Sequence, residues 1–166
     1  MNDFNIIVAC DNNNGIGKNN KLPWHNKDDI TYFSNITKGD KNNSIIMGRK
    51  TWESIQKKPL IDRDNLILSK TLNMNKCFKN IEELIIFIND KKYSVNWIIG
   101  GETIYKQFLE NKNIKIKYIY LTKINKKFDC DAYFPKIPEY FYIKETIRLN
   151  NYTEIIIYHN KDYSLF

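Results

Sequence analysis

Proline and glycine are scarce in this chain, 4 and 6 among 166 residues, which excludes a collagen-like or linker-rich protein and makes the position of each glycine informative. Cysteine is scarcer. Cys10, Cys77 and Cys130 are an odd number at wide spacing, which suits a reducing compartment better than a disulfide framework. These three and the two histidines have no metal-ligand spacing, so no metal site is expected. No apolar run approaches the roughly 20 residues that cross a bilayer, and Met1-Asn2-Asp3-Phe4 lacks the layout of a signal peptide. A soluble, cytoplasmic protein is expected.

What the chain does have is length enough for one domain, residues 1–166, whose core needs neither disulfide nor metal. Its net charge of +7 comes mostly from lysines interleaved with asparagines along the whole sequence. A basic protein can bind nucleic acid, yet there is no arginine-rich run, aromatic-basic ladder or zinc-finger spacing, and a nucleic-acid partner is not expected. Nothing demands more than a monomer.

Hydrophobic patterning alternates between strands and helices. Residues 4–10 form a nearly continuous apolar run, the pattern of a strand buried on both faces, and lead into an Asn- and Gly-rich loop at 11–21. Gly15-Ile16-Gly17 begins a dinucleotide fingerprint that fails at Asn20, where a third glycine is required. Residues 44–47 read as a strand, Gly48 as its turn, and 49–55 as a helix closed off before Pro59. A strand at 65–69, a helix at 81–89, and a strand at 95–99 follow, the last running through Gly100-Gly101 into a helix past Phe108. Residues 117–123 are another strand, 128–135 a loop, and 140–149 and 152–159 a hairpin turning at Asn150-Asn151, because Asn tolerates positive φ. This order predicts an α/β fold: a single-domain, mostly parallel central sheet with flanking helices and an antiparallel C-terminal edge hairpin.

The most telling stretch is Leu22-Pro23-Trp24-His25-Asn26-Lys27-Asp28-Asp29 and the helix it opens, with Asn26 as N-cap and two aspartates in the first turn. Asp29, Phe33 and Ile36 fall at i, i+4 and i+7, on a face apolar but for one carboxylate. Such a carboxylate needs a partner, for which a cationic or amidine-like ligand would serve; rotation to water or a capping role is the alternative. Two strand-glycine-helix junctions, Met47-Gly48-Arg49 and Ile99-Gly100-Gly101, place free backbone N–H groups at the carboxyl edge of the sheet. Either alone can be a steric need; together they can hold a pyrophosphate. Arg49, Lys50 and Lys70 add cations for one further phosphate, or form a solvated basic surface.

In order and spacing, seven pieces closely resemble dihydrofolate reductase: Gly15-Ile16-Gly17-Lys18 with Leu22-Pro23-Trp24; Asp29-Ile30-Thr31-Tyr32-Phe33; Ile46-Met47-Gly48-Arg49-Lys50-Thr51-Trp52-Glu53-Ser54-Ile55; Pro59-Leu60-Ile61-Asp62-Arg63; Asn65-Leu66-Ile67-Leu68-Ser69; Ile98-Ile99-Gly100-Gly101 with Tyr105; and Asp131-Ala132-Tyr133-Phe134-Pro135. The resemblance spans essentially the whole chain. With no second catalytic domain in it, it resembles the free-standing form rather than the one fused to thymidylate synthase.

The resemblance implies NADPH-dependent reduction of 7,8-dihydrofolate to 5,6,7,8-tetrahydrofolate, with hydride to C6 and a proton to N5, in the service of one-carbon metabolism and thymidylate and purine synthesis. It also implies binding of antifolate inhibitors. Carried over by position, Asp29 matches the pterin carboxylate, Thr122 the hydroxyl behind it, and Leu22 the mobile loop over the nicotinamide. Ile7, Val8, Ile30, Ser54, Ile55 and Ile99 match the pterin slot and its surroundings, Phe33 and Leu60 the aminobenzoyl walls, and Arg63 the cation for the glutamate α-carboxylate. Ala9, Ile16 and Gly17 match nicotinamide contacts. The rest of the cofactor track falls on Gly48, Arg49, Lys50, Thr51, Leu68, Ser69, Lys70, Ile99, Gly100, Gly101, Glu102, Thr103, Ile104 and Tyr105.

Three positions depart from the family pattern: Asp62 replaces a glycine before Arg63, Ala132 a common threonine, and Glu102 a third glycine, bringing an acid near the pyrophosphate. A pyrimidine reductase of riboflavin synthesis would share fold and cofactor but has no use for both Asp29 and Arg63. A catalytically idle nucleic-acid binder would instead betray itself by steeply salt-dependent binding.

Overall fold

The first apolar run becomes the middle of the sheet. In the computed structural model, which describes residues 2–163, β1 (Phe4–Cys10) lies between two parallel neighbours with every residue but Ala9 buried. The remaining elements follow as β2 (Gly15–Gly17), α1 (Lys27–Lys38), β3 (Ser44–Gly48), α2 (Arg49–Ser54), β4 (Asp64–Leu68), β5 (Cys77–Phe78), α3 (Ile81–Lys91), β6 (Asn96–Gly100), α4 (Glu102–Glu110), β7 (Ile116–Ile124), β8 (Ala132–Tyr133), β9 (Phe141–Asn150) and β10 (Thr153–Asn160). The main sheet has the order β5-β4-β3-β6-β1-β7-β10-β9. It is parallel from β5 to β7, and β10 then pairs antiparallel with both β7 and β9.

Strand alternation divides the core into two layers. Ile6, Val8, Ile46 and Ile98 pack with Leu84 and Ile88 of α3 and Ile104 and Phe108 of α4. Ile7, Ile45, Met47 and Trp97 pack on the other face with Phe33 and Ile36 of α1 and Trp52 of α2.

Three local expectations are corrected. The loops at 11–21 and 128–135 contain a small antiparallel sheet in which Gly15 pairs with Tyr133 and Gly17 with Ala132. Strands of two or three residues are too short to carry a period, and β5 is unreadable for the same reason. The hairpin turns on Asn151 and Tyr152, because Thr153 pairs with Asn150, and neither turn residue has positive φ. There the Asn150 side chain accepts from the Tyr152 N–H at 3.1 Å, and a bulge between Thr153 and Glu154 takes up the twist. The tight Asn-Asn turn of the chain is instead Asn19-Asn20, at φ 49° and 62°, closed by Lys18 and Lys21 through backbone bonds of 2.8 and 3.0 Å.

Candidate active site

The N-terminus of α1 is fastened before its carboxylate is aimed. Asn26 caps the helix, its Oδ1 accepting from the Asp29 N–H at 3.1 Å, while its Nδ2 donates to Thr153 Oγ1 at 2.8 Å on β10. One turn of chain later Asn150 Nδ2 donates to Asp28 Oδ2 at 2.9 Å. The hairpin therefore holds the first turn of α1, and Asn26 takes the capping role that Asp29 could otherwise have played. Asp29 is left half-buried, facing Thr122 of β7, which lies in register beside Ala9 of β1. Burial pushes its pKa up, and the Thr122 hydroxyl pulls it partly back. Among the described residues no cation lies within ion-pair distance of it.

Beside this carboxylate runs an apolar wall. Ile7, Phe33, Ile55, Leu60 and Ile99 all belong to the α1-side cluster, with Phe33 one helical turn past Asp29. Val8 does not join them: alternation along β1 sends it into the opposite layer, with Leu68, Ile104 and Tyr105. The side chains of Val8, Leu68 and Ile104 all pack in that opposite layer. Tyr105 reaches back through its hydroxyl, which donates to the Ile7 carbonyl at 2.8 Å. Ile30 and Leu22 are 48% and 55% exposed, and Ser54 Oγ turns onto the Thr51 carbonyl at 2.7 Å, so none of these three is packed into the slot. Ile16, in β2, packs against the first layer.

Register brings the two glycine junctions side by side, Met47 of β3 pairing with Gly100 of β6. Helices α2 and α4 start from Gly48 and Gly101, and neither cap makes a side-chain hydrogen bond, so first-turn N–H groups at Arg49, Lys50, Glu102 and Thr103 stay open. Two of the glycines answer to their surroundings: a Cβ on Gly48 would stand 3.0 Å from Ile104 Cγ1, so that Ile104 would have to shift, and Gly100 has φ 123°. Gly101 is different. Its φ is −89°, and a Cβ there would meet only Thr51 Oγ1, at an ordinary 3.7 Å. The bare backbone it leaves beside Thr51 fits a pyrophosphate better than it fits any need of packing. Glu102 does not crowd that cradle, because its carboxylate accepts the Tyr133 N–H and ties α4 to β8.

The cation cluster is only partly free. Gly48 pairs with Leu68, so Arg49 and Ser69-Lys70 leave neighbouring strands at one edge, and Lys50 and Lys70 are exposed. Arg49, however, is folded back on Glu53, its Nη1 donating to both carboxylate oxygens at 2.9 and 3.1 Å. That exposed i,i+4 pair engages one of the three cations. Ser69 Oγ is also engaged, accepting from the N–H groups of Thr71 and Leu72 at 3.2 and 3.1 Å.

At the far end of the wall Asp62 sits at φ 60°, in the left-handed region that glycine enters freely and Asp tolerates, so the turn before Arg63 survives its replacement. Arg63 is half-buried, donating from Nε to the Ile61 carbonyl and from Nη1 to Thr37 Oγ1, both at 2.9 Å. Burial lowers its pKa and Asp62 opposes the shift, but a guanidinium stays charged.

Two residues without an assigned role in the sequence reading stand out. Trp24 packs on Phe128, ring centroids 5.3 Å apart, with a buried Nε1 that has no hydrogen-bond partner among the described residues. Its place five residues before Asp29 was visible, its orphaned N–H was not. Thr37, two turns past Asp29, is fully buried and bonded to Arg63. A surface hollow of about 400 Å³ lined by Asn13, Lys127, Phe128, Asp129, Cys130 and Tyr133 shares no residue with this site.

Residues 3–163 match the family described as dihydrofolate reductase. The chain is 38% identical over 151 residues to the dihydrofolate reductase of Drosophila melanogaster, an alignment covering 83% of this chain and 82% of that protein. It is 38% identical over 150 residues to the Bos taurus dihydrofolate reductase, covering 81% and 79%. To the bifunctional dihydrofolate reductase-thymidylate synthase of Paramecium tetraurelia it is 37% identical over 136 residues, 80% of this chain and 28% of that longer protein.

Proposed function

The chain belongs to the dihydrofolate reductase family, and we propose that the cleft between α1 and the carboxyl edge of the sheet is where it reduces 7,8-dihydrofolate to 5,6,7,8-tetrahydrofolate with NADPH. The observation that carries the assignment of this site is Asp29: a half-buried carboxylate with no cationic partner, raised in pKa by burial, at the end of an apolar wall. A flat ring with an amino group beside a protonated nitrogen supplies what it lacks, two parallel charge-assisted hydrogen bonds.

In this reading Asp29 grips the 2-amino group and N3 of the pterin, with Thr122 holding the carboxylate from behind. Phe33, Leu60, Ile7, Ile55 and Ile99 sandwich the rings and keep water from them, and Arg63 takes the α-carboxylate of the tail. The bare backbone at Gly101, the open N–H groups of α2 and α4, Thr51, Lys50 and Lys70 would hold NADPH, with Ala9, Ile16 and Gly17 near its nicotinamide. The bound cofactor supplies the hydride for C6. Asp29 lies with the amino group and N3, so it orients the ring and favours its protonated form while water delivers the proton to N5. Antifolates with an amidine edge meet the same carboxylate.

We also take residues 1–166 to be a single-domain, monomeric, cytoplasmic enzyme without a nucleic-acid partner. Support comes from lysines scattered rather than clustered and from the absence, among the described residues, of any helix long and apolar enough to cross a membrane. Mixing the purified protein with NADPH and dihydrofolate should bleach the near-ultraviolet band of the reduced nicotinamide. No loss of that band, with both ligands bound, would refute the assigned reaction.

A further inference from the structure

One helix carries both ends of the proposed substrate site. Asp29, Phe33 and Thr37 follow one another at i, i+4 and i+8 along α1, a ladder about 12 Å long on one face. Asp29 and Phe33 meet the ring in the reading above, and Thr37 has the geometry to decide where the tail goes. We propose that Thr37 is a positioning residue that aims the Arg63 guanidinium and thereby sets the enzyme's selectivity for substrates ending in an α-carboxylate. The proposal rests on the reading of Arg63 as the cation for that carboxylate.

Thr37 is fully buried, and its hydroxyl both donates and accepts a hydrogen bond. It donates its one proton to the Phe33 carbonyl at 2.7 Å, which turns a lone pair outward, and Arg63 Nη1 donates into it at 2.9 Å. The backbone beneath it is anchored too. Asn43 Nδ2 donates to the Thr37 carbonyl at 3.0 Å, and Asn43 Oδ1 accepts from the Val95 N–H at 3.0 Å, which clamps the last turn of α1 to the sheet. With Nε given to the Ile61 carbonyl, two of the five guanidinium N–H groups are spent on holding the fork, and three, including both on Nη2, remain for a carboxylate. Thr37 thus ties the orientation of that fork to the same rigid helix that presents Asp29.

Steady-state kinetics of the full-length enzyme on dihydrofolate and on a tail-less dihydropterin test the proposal. Thr37→Val should raise KM for dihydrofolate about tenfold while kcat changes less than about twofold, and should leave KM for the tail-less substrate unmoved. Thr37→Ser, which keeps the hydroxyl, should behave as the native enzyme. In an Arg63→Ala background Thr37→Val should add nothing further. Should the valine variant fold poorly, Thr37→Ala removes the same hydroxyl and carries the same expectation. A KM increase shared by both substrates, or one that persists undiminished in the Arg63→Ala background, would make Thr37 structural and overturn the proposal. Tail-selective loss in Arg63→Ala with no effect of Thr37→Val overturns the proposal alone. Equal loss for both substrates in Arg63→Ala overturns the assignment of Arg63, and the proposal with it.

Discussion

Asp29 works against the fold in which it sits. Burial raises its pKa, more than the Thr122 hydroxyl lowers it, so the folded protein holds its proton more tightly than the unfolded chain does. A carboxyl shifted upward in this sense costs stability at every pH above its ordinary value of 3.8, and the cost vanishes below it. Asp29→Asn should therefore melt higher than the native protein at neutral pH, with the gap closing as the pH falls toward 3.8. The same substitution removes the charge that favours a protonated ring. Single-turnover hydride transfer should drop by about a hundredfold or more at neutral pH and recover partly in acid, where solvent protonates more substrate. Near-native turnover at neutral pH would remove this carboxylate from the mechanism. Asp62 illustrates a gentler compromise: by accepting φ 60° it keeps the turn that presents Arg63 without the glycine.

Between elements, one buried side chain helps to hold the segment leaving β1. The Asp11 carboxylate accepts the N–H groups of Phe128, Gly15 and Asn13, each at 2.8 Å, and joins the strand that contains Ile16 and Gly17 to the stretch before β8. Burial alone would raise its pKa, but those three bonds, helped by the Cys130 thiol, bring it below the ordinary 3.8. Asp11→Ala leaves the buried Gly15 N–H and the part-buried N–H groups of Asn13 and Phe128 without their acceptor and should cost about 3 kcal/mol at neutral pH. Because the folded pKa is depressed, the native advantage is present above 3.8 and lost as the pH falls through the folded value. Urea melts of both proteins at neutral and acid pH check this: a gap that does not narrow in acid would mean that the carboxylate's charge contributes nothing. None of this clasp was legible in a loop rich in Asn and Gly, where the pattern carries no period. The long elements were. The apolar run at 4–10 became β1, the helically spaced apolar residues at 81–88 became α3, and Asn26 capped α1 as its side-chain chemistry demands.

At the scale of the molecule, Arg49, Lys50 and Lys70 stand where β3 and β4 leave the sheet, and cofactor selectivity should follow from them. Arg49 must first leave Glu53, and an exposed pair of this kind is worth up to about 1 kcal/mol, so Lys70 should contribute more than Arg49 to the preference for NADPH over NADH. Lys70→Ala should weaken NADPH binding more than Arg49→Ala does, the double variant more than either, and NADH should hardly change. Equal losses for both cofactors in fluorescence titrations would place these cations elsewhere. By itself the sequence determined the alternation of strands and helices, the parallel sheet with its antiparallel edge, and the placing of one carboxylate and two glycine junctions at element ends. Those depend on local periodicity, capping and turn chemistry, which act over a few residues. Only the tertiary structure decided that Asp11 reaches Phe128 and that Thr37 holds Arg63. Each of these turns on which side chains meet when strand register and helix packing are complete. Such meetings follow from three-dimensional distances that no spacing along the chain encodes.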